Sequence, residues 1–160
     1  MLGNLITYLR HSLPRTDTSP STLGEEVERA RAYLEILQIR MGPRLQLQIE
    51  VPRHLLAMPF PTMMLQTLVE NAIKHGLEPR TAGGTVWILA RETDGRVAVT
   101  VADDGQGFGG SNSGGTGIGL QNVRERLRLA YGSEASLSVV ANFPNGVAAT
   151  ITVPGNAGTA

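Results

Sequence analysis

Apolar positions along this chain alternate between two periods. Leu2, Leu5, Ile6, Leu9 and Leu13 recur at helical spacing, which predicts a short helix over 2–13 ended by Pro14. The polar stretch 14–21, with Pro14 and Pro20, has the composition of a linker. Val27, Ala30, Leu34, Leu37 and Met41 then step by threes and fours, an amphipathic helix. Thr22 and Glu25 have the spacing of a capping box at its start, and Gly42-Pro43 stops it. Leu45, Leu47, Ile49 and Val51 alternate with polar residues, the pattern of a half-buried strand. Pro52, Pro59 and Pro61 bracket the next link, and Pro61 suits a first helical turn. Met64, Leu65, Leu68, Val69, Ala72 and Ile73 carry that helix to about Gly76.

The second half is richer in strands. Residues 85–92 and 96–102 are β-rich, and Asp94-Gly95 between them is a two-residue hairpin signal. Val97, Val99 and Val101 share one face, which puts Asp103 at the strand end. A glycine-rich stretch, 105–119, leads into a helix over Leu120–Tyr131 closed by Gly132. Strands at 136–140 and 147–153 follow, with a loose tail from Pro154. Hairpins mixed with helices predict an α+β layer with helices on one face of a sheet. The βαβ repetition of a doubly wound sheet is missing.

Composition narrows the class. At 160 residues, 41% apolar and 18% charged, the chain suits one globular domain. Fourteen basic residues balance 14 acidic ones, which argues against nucleic acid as a partner. The chain has no cysteine, hence no disulfide, thiolate nucleophile or Cys-ligated zinc. Its start lacks the basic and long apolar regions of a secretion signal.

Three stretches carry candidate chemistry. Asp103-Asp104-Gly105-Gln106-Gly107 places a carboxylate at a strand end, where it can accept a hydrogen bond from adenine's exocyclic amine and repel guanine's carbonyl. Gly105 and Gly107 let backbone lie close to a ring, though the same residues also suit an ordinary β-turn. Gly115-Thr116-Gly117-Ile118-Gly119-Leu120 opens a helix, where unpaired amides and the dipole bind phosphate; a loop before a helix would look similar. Its spacing is neither a P-loop nor a Rossmann fingerprint. Asn71, Lys74 and His75 fall on one helix face; Asn71 offers a hard oxygen to Mg²⁺ and Lys74 a charge to phosphate. A solvated face is the bland alternative. Met58, Met63, Met64 and Trp87 read as packing, and His54 as exposed. Arg124 and Arg126 suit phosphate or a solvated helix face equally.

In order and separation, these stretches resemble the N box and two glycine boxes of the histidine kinase, gyrase, MutL and heat-shock-chaperone ATPase superfamily. Leu65 to Gly76, Gly119 to Leu127 and Tyr33 to Arg40 are similar to the LytS-type sensor histidine kinase branch. The resemblance covers about residues 5–154. It implies a Bergerat-type fold, a mixed, mostly antiparallel sheet layered with helices, and ATP held with Mg²⁺. Asn71 would serve the metal and Asp103 the adenine. Gly105 and Gly107 would line the base. Gly117 and Gly119 would approach the phosphates, alongside Gly115, Thr116, Ile118 and Leu120. Residues 108–116 would form a short lid. Lys74 and His75 would join Asn71 in the transfer step.

The resemblance further implies three parts: 1–21, a remnant of a dimerisation and phosphoacceptor helix with its linker; 22–154, the catalytic domain; and 155–160, a tail. The implied partners are a phosphoacceptor-histidine helical domain of the full-length kinase and a response regulator. The fragment would be a monomer and the full-length protein a dimer, with this portion in the cytoplasm of a membrane-attached kinase. His11 reads as a surface residue, not the acceptor. Gly146-Val147 departs from the Gly-Thr common in relatives near the adenine. A gyrase-like ATP-driven clamp and a nucleotide-regulated binding module without transfer are the competing functions. Against the clamp, position 67 is Thr where those enzymes carry a general-base Glu.

Overall fold

The structure, a computed structural model, describes residues 21–107, 113–142 and 144–155. The expected 2–13 helix, His11, most of the expected lid and the end of the tail lie outside the described residues.

Among the described residues the chain is stitched to itself before the first helix begins. β1 (Ser21–Thr22) pairs antiparallel with β3 (Pro59–Phe60), a contact too short to leave a sequence pattern. α1 (Leu23–Met41) follows. The expected capping box is present: Glu25 N–H donates to Thr22 Oγ1 at 3.1 Å, and Thr22 N–H donates to Glu25 Oε1 at 2.8 Å. Thr22→Ala removes an acceptor for an unpaired helix amide and should cost about 1 kcal/mol, read as a lower urea midpoint at unchanged slope. One turn in, Glu26 is fully buried and accepts from Ser21 Oγ at 2.6 Å and from Arg29 Nη1 at 2.5 Å. Gly42 turns the chain at φ 66° into β2 (Leu45–Glu50).

α2 (Met64–Asn71) starts from Met63, held at φ 67°. Few non-glycine residues adopt that conformation, and nothing in the sequence signals it. The helix does not run regularly to Gly76 as expected. From Ala72 to Leu77 it widens into a π turn, with Glu78 N–H bonded to the Ile73 carbonyl five residues back at 2.8 Å.

β4 (Gly84–Thr93) and β5 (Arg96–Asp103) form the expected hairpin, with Asp94 at φ 54° and Gly95 at φ 76°. Two successive positive φ angles suit the twist of paired strands. α3 (Ser113–Tyr131) begins several residues earlier than the apolar pattern indicates, because its first turn is glycine-rich and carries no apolar stripe. β6 (Ser136–Ala141) and β7 (Val147–Pro154) complete the sheet.

The five strands lie in the order β2-β4-β5-β7-β6, with β2 and β4 parallel and the other pairs antiparallel. Val86, Ile88, Val97, Val99, Val101, Ile151 and Val153 point to one face. There they share a single core with Leu34, Leu65, Leu68, Val123 and Leu127 of the helices. Burying such side chains stabilises by about 1.5–3 kcal/mol each. Among the described residues this is an α+β fold, three helices on one face of a mixed, mostly antiparallel sheet.

Candidate nucleotide site

Asp103 ends β5 on the helix-covered face, opposite Val86, and is only 3% exposed. Burial pushes its carboxyl up to about 6, although N–H bonds from Gly105 and Val147 favour the charged form; Asp104 raises it a little further. The Gly105 N–H bond to Oδ1 is 2.8 Å long. A carboxylate held in that way stays a strong acceptor at neutral pH with little water to satisfy it.

The end of the α2 segment lies against this carboxyl. A Cβ on Gly76 would sit 2.7 Å from Asp103 Oδ1. The Gly76 carbonyl accepts from Gln106 N–H at 2.9 Å, and a Cβ on Gly105 would come within 2.1 Å of that oxygen. The turn after Asp103 can therefore pass the helix end only as glycine. Gly107 stands at φ 78°, against Gly146.

The second convergence is at Asn71. A Cβ on Gly119 would lie 3.4 Å from Asn71 Nδ2, so the carboxamide faces the backbone of α3. Nδ2 is buried and has no hydrogen-bond partner. An unpaired buried amide costs stability unless a ligand completes it. Among the described residues no three His, Cys, Asp or Glu side chains cluster as a metal cage. A single amide oxygen is nonetheless the donor Mg²⁺ takes when phosphates and water supply the rest, so the residues fit that ion.

Lys74 is exposed and His75 half-buried, both on the π turn. Both follow Asn71 within one turn, where the helix has widened. Leu120 is buried, and Gly115, Thr116, Gly117 and Ile118 lie in the first turns of α3. Only the first four amides of a helix lack intrahelical partners, which in α3 reaches about Thr116 and leaves Gly117 and Ile118 beyond them. Arg124 donates to the Leu137 carbonyl at 3.3 Å and Arg126 to the Thr62 carbonyl at 2.7 Å, so both serve the scaffold. Met58 and Met64 are core, Trp87 is half-buried, and His54 is exposed beside Glu92.

Several residues that shape the site escaped the sequence reading. Asp104 Oδ1 accepts Thr85 N–H at 2.8 Å, and Arg80 Nη1 donates to the Asp104 carbonyl at 2.7 Å. Asn142 Nδ2 donates to the Asp103 carbonyl at 2.8 Å. A Cβ on Gly146 would fall 1.9 Å from that same carbonyl oxygen. Gly146 is already placed near the adenine by the resemblance, in the pair Gly146-Val147; Asn142 and Arg80 carried no signal.

Known proteins resemble this chain in sequence and in fold. Sensor histidine kinase YesM of Bacillus subtilis is 35% identical over 136 residues, covering 83% of this chain and 24% of that protein. Sensor protein LytS of Oceanobacillus iheyensis is 33% identical over 152 residues, covering 87% of this chain and 26% of that protein. The chain thus spans about a quarter of the length of those relatives. The catalytic domain of histidine kinase ThkA superposes with a TM-score of 0.65 at 21% identity, over 83% of this chain and 92% of that one. The histidine kinase domain of the Erythrobacter litoralis blue-light kinase gives 0.58 at 19% identity, over 88% of this chain and 65% of that one. A histidine kinase family model matches residues 1–45. The larger match, over residues 59–157, takes in all three convergent stretches, and the chain belongs to the histidine kinase-, DNA gyrase B- and HSP90-like ATPase family.

Proposed function

We propose that this chain is the ATP-binding catalytic domain of a two-component sensor histidine kinase. In this reading it transfers the γ-phosphate of ATP to a histidine carried outside residues 22–154. One observation carries it: Asp103 is packed under Gly76 while Asn71 faces Gly119, so two positions about one turn apart on one helical segment meet the two glycine-rich stretches. The name of YesM, a sensor histidine kinase, supports the kinase assignment.

Asp103 accepts from the adenine amine, with Gly105 and Gly107 leaving room for the ring. Gly115 and Thr116, in the first turn of α3, offer helix-opening amides to the phosphates, with Gly117 to Leu120 behind them. Asn71 would hold Mg²⁺, which supplies charge neutralisation on the phosphates. Lys74 adds a positive charge from the exposed side of the π turn, and His75 stands beside it. The protein's remaining work is positioning: it must leave the γ-phosphate open to an imidazole nitrogen arriving in line.

Residues 1–21 are then the arm joining the domain to its acceptor helix, and the partners are that helical domain and a response regulator. ThkA has been crystallised with response regulator TrrA, which fits such a pairing. A fragment of this size would be monomeric, and the full-length kinase dimeric. No described helix is long and apolar enough to cross a membrane. In this reading the chain is the cytoplasmic portion of a membrane-attached kinase. A clamp ATPase is disfavoured, since Thr67 Oγ1 donates back to the Met63 carbonyl at 3.0 Å and leaves no base there.

Titration calorimetry with ATP and GTP, each with and without Mg²⁺, tests the site. ATP alone should bind well, and Mg²⁺ should strengthen it. Equal affinity for the two nucleotides would overturn the adenine assignment. For transfer, the chain is mixed with a helical hairpin bearing the acceptor histidine and labelled ATP. Asn71→Ala should lower Mg²⁺-dependent transfer about 100-fold while leaving adenosine affinity nearly unchanged.

A further inference from the structure

β5 runs one residue past its partner on the β7 side. Pairing with β4 extends to Asp103, opposite Val86, but pairing with β7 ends at Ala102, opposite Ala148. The Asp103 carbonyl on that side has no ladder partner. Asn142, just past the end of β6, takes the place of the missing rung: its Nδ2 donates to that carbonyl at 2.8 Å. Its own N–H is bonded to the Gly146 carbonyl at 3.0 Å, which closes the β6–β7 turn. Gly146, at φ 101°, presses directly on Asp103 O, where any Cβ would come within 1.9 Å. The next residue, Val147, donates its N–H to the Asp103 side chain. One turn therefore holds Asp103 by main chain and by carboxyl, and the Asn142 side chain ties that turn to the strand.

We propose that Asn142 is a positioning residue for nucleobase selection, fixing the Asp103 backbone so that its carboxylate meets the amine of adenine. This rests on the reading of Asp103 as the adenine acceptor. Asn142 does not touch the base. It acts through the strand end and through the Val147 N–H, whose aim depends on the turn staying closed. Without the amide the carbonyl would be left unpaired and the turn could lift, letting the carboxyl rotate toward water.

The test compares Asn142→Ala, Asn142→Gln and Asp103→Asn by calorimetry with ATP, GTP and inorganic triphosphate, alongside thermal melts. Asn142→Ala should weaken ATP about tenfold and leave triphosphate affinity unchanged, so that the ATP-to-GTP ratio falls by a similar factor. Asn142→Gln keeps the amide on a longer arm and should recover part of the ratio. A lowered melting temperature with an intact ratio would mean that Asn142 only supports the fold, and the inference would fail. If Asp103→Asn also leaves the ratio intact, the adenine reading itself falls. A ratio lost in Asp103→Asn but kept in Asn142→Ala overturns the role of Asn142 alone.

Discussion

Asp103→Asn should bind ATP about 10- to 100-fold more weakly than the parent chain and yet melt a few degrees higher at pH 7. Both effects have one cause. The carboxylate is charged at neutral pH in a place that disfavours charge, and burial has raised it from 3.8 to about 6. A folded acid with a raised value binds more protons than the unfolded chain between about pH 4 and 6. Stability therefore rises as pH falls through that window, and above it the folded state bears the full cost of the charge. Asparagine removes the charge but must place its amide near one of the backbone N–H groups. The net gain should be about 1–2 kcal/mol at pH 7 and vanish near pH 4. In the parent chain ATP affinity should fall as pH drops below about 6, because a protonated carboxyl no longer accepts from the amine. The variant should lack that slope. Melting curves and titrations at pH 4, 6 and 8 read both signs, and a variant less stable at pH 7 would contradict the cost assigned to the buried charge.

Gly105→Ala should be the more damaging change to the fold. Its Cβ would fall 2.1 Å from the Gly76 carbonyl oxygen and 2.4 Å from the carbonyl carbon. Both are backbone atoms, so no side-chain rotation relieves the contact. The turn would have to move off the helix end, breaking the Gln106 N–H bond to Gly76. A loss of about 3 kcal/mol is expected, or a fall of about 6–12 °C in melting temperature. Nucleotide affinity should fall with it, because the same shift displaces Asp103. Denaturant and thermal melts of the purified variant measure the first effect; a variant as stable as the parent would refute the close approach.

The sequence showed the elements well and their meeting points poorly. Periodicity located α1, β2, the β4–β5 hairpin and the β6–β7 pair, because each carries an apolar stripe whose repeat is a local property. It missed β1–β3, whose two-residue strands are too short to repeat. It gave no hint that β2 pairs parallel with β4, since register depends on partners far away in the chain. Ser113 to Gly119 fell outside the helix expected over Leu120–Tyr131 because glycine weakens any helical signal. For the site, residue type and spacing singled out Asn71, Asp103 and the glycines, which the structure brings into contact across distant elements. The burial that raises Asp103 was not readable, nor was the Asn142 amide, because both are products of packing.

The π turn at Ala72–Leu77 carries one residue more per backbone bond than the helix before it. The extra residue is absorbed by the wider winding, so the helix on either side of the turn stays nearly in phase. Deleting a single residue there should close the turn into a regular helix and leave Gly76 near Asp103. A second extra residue, with no further widening to take it up, would rotate Gly76 about 100° away from Asp103 while Asn71 kept its place. The segment thus tolerates the loss of one residue at the turn better than the gain of one.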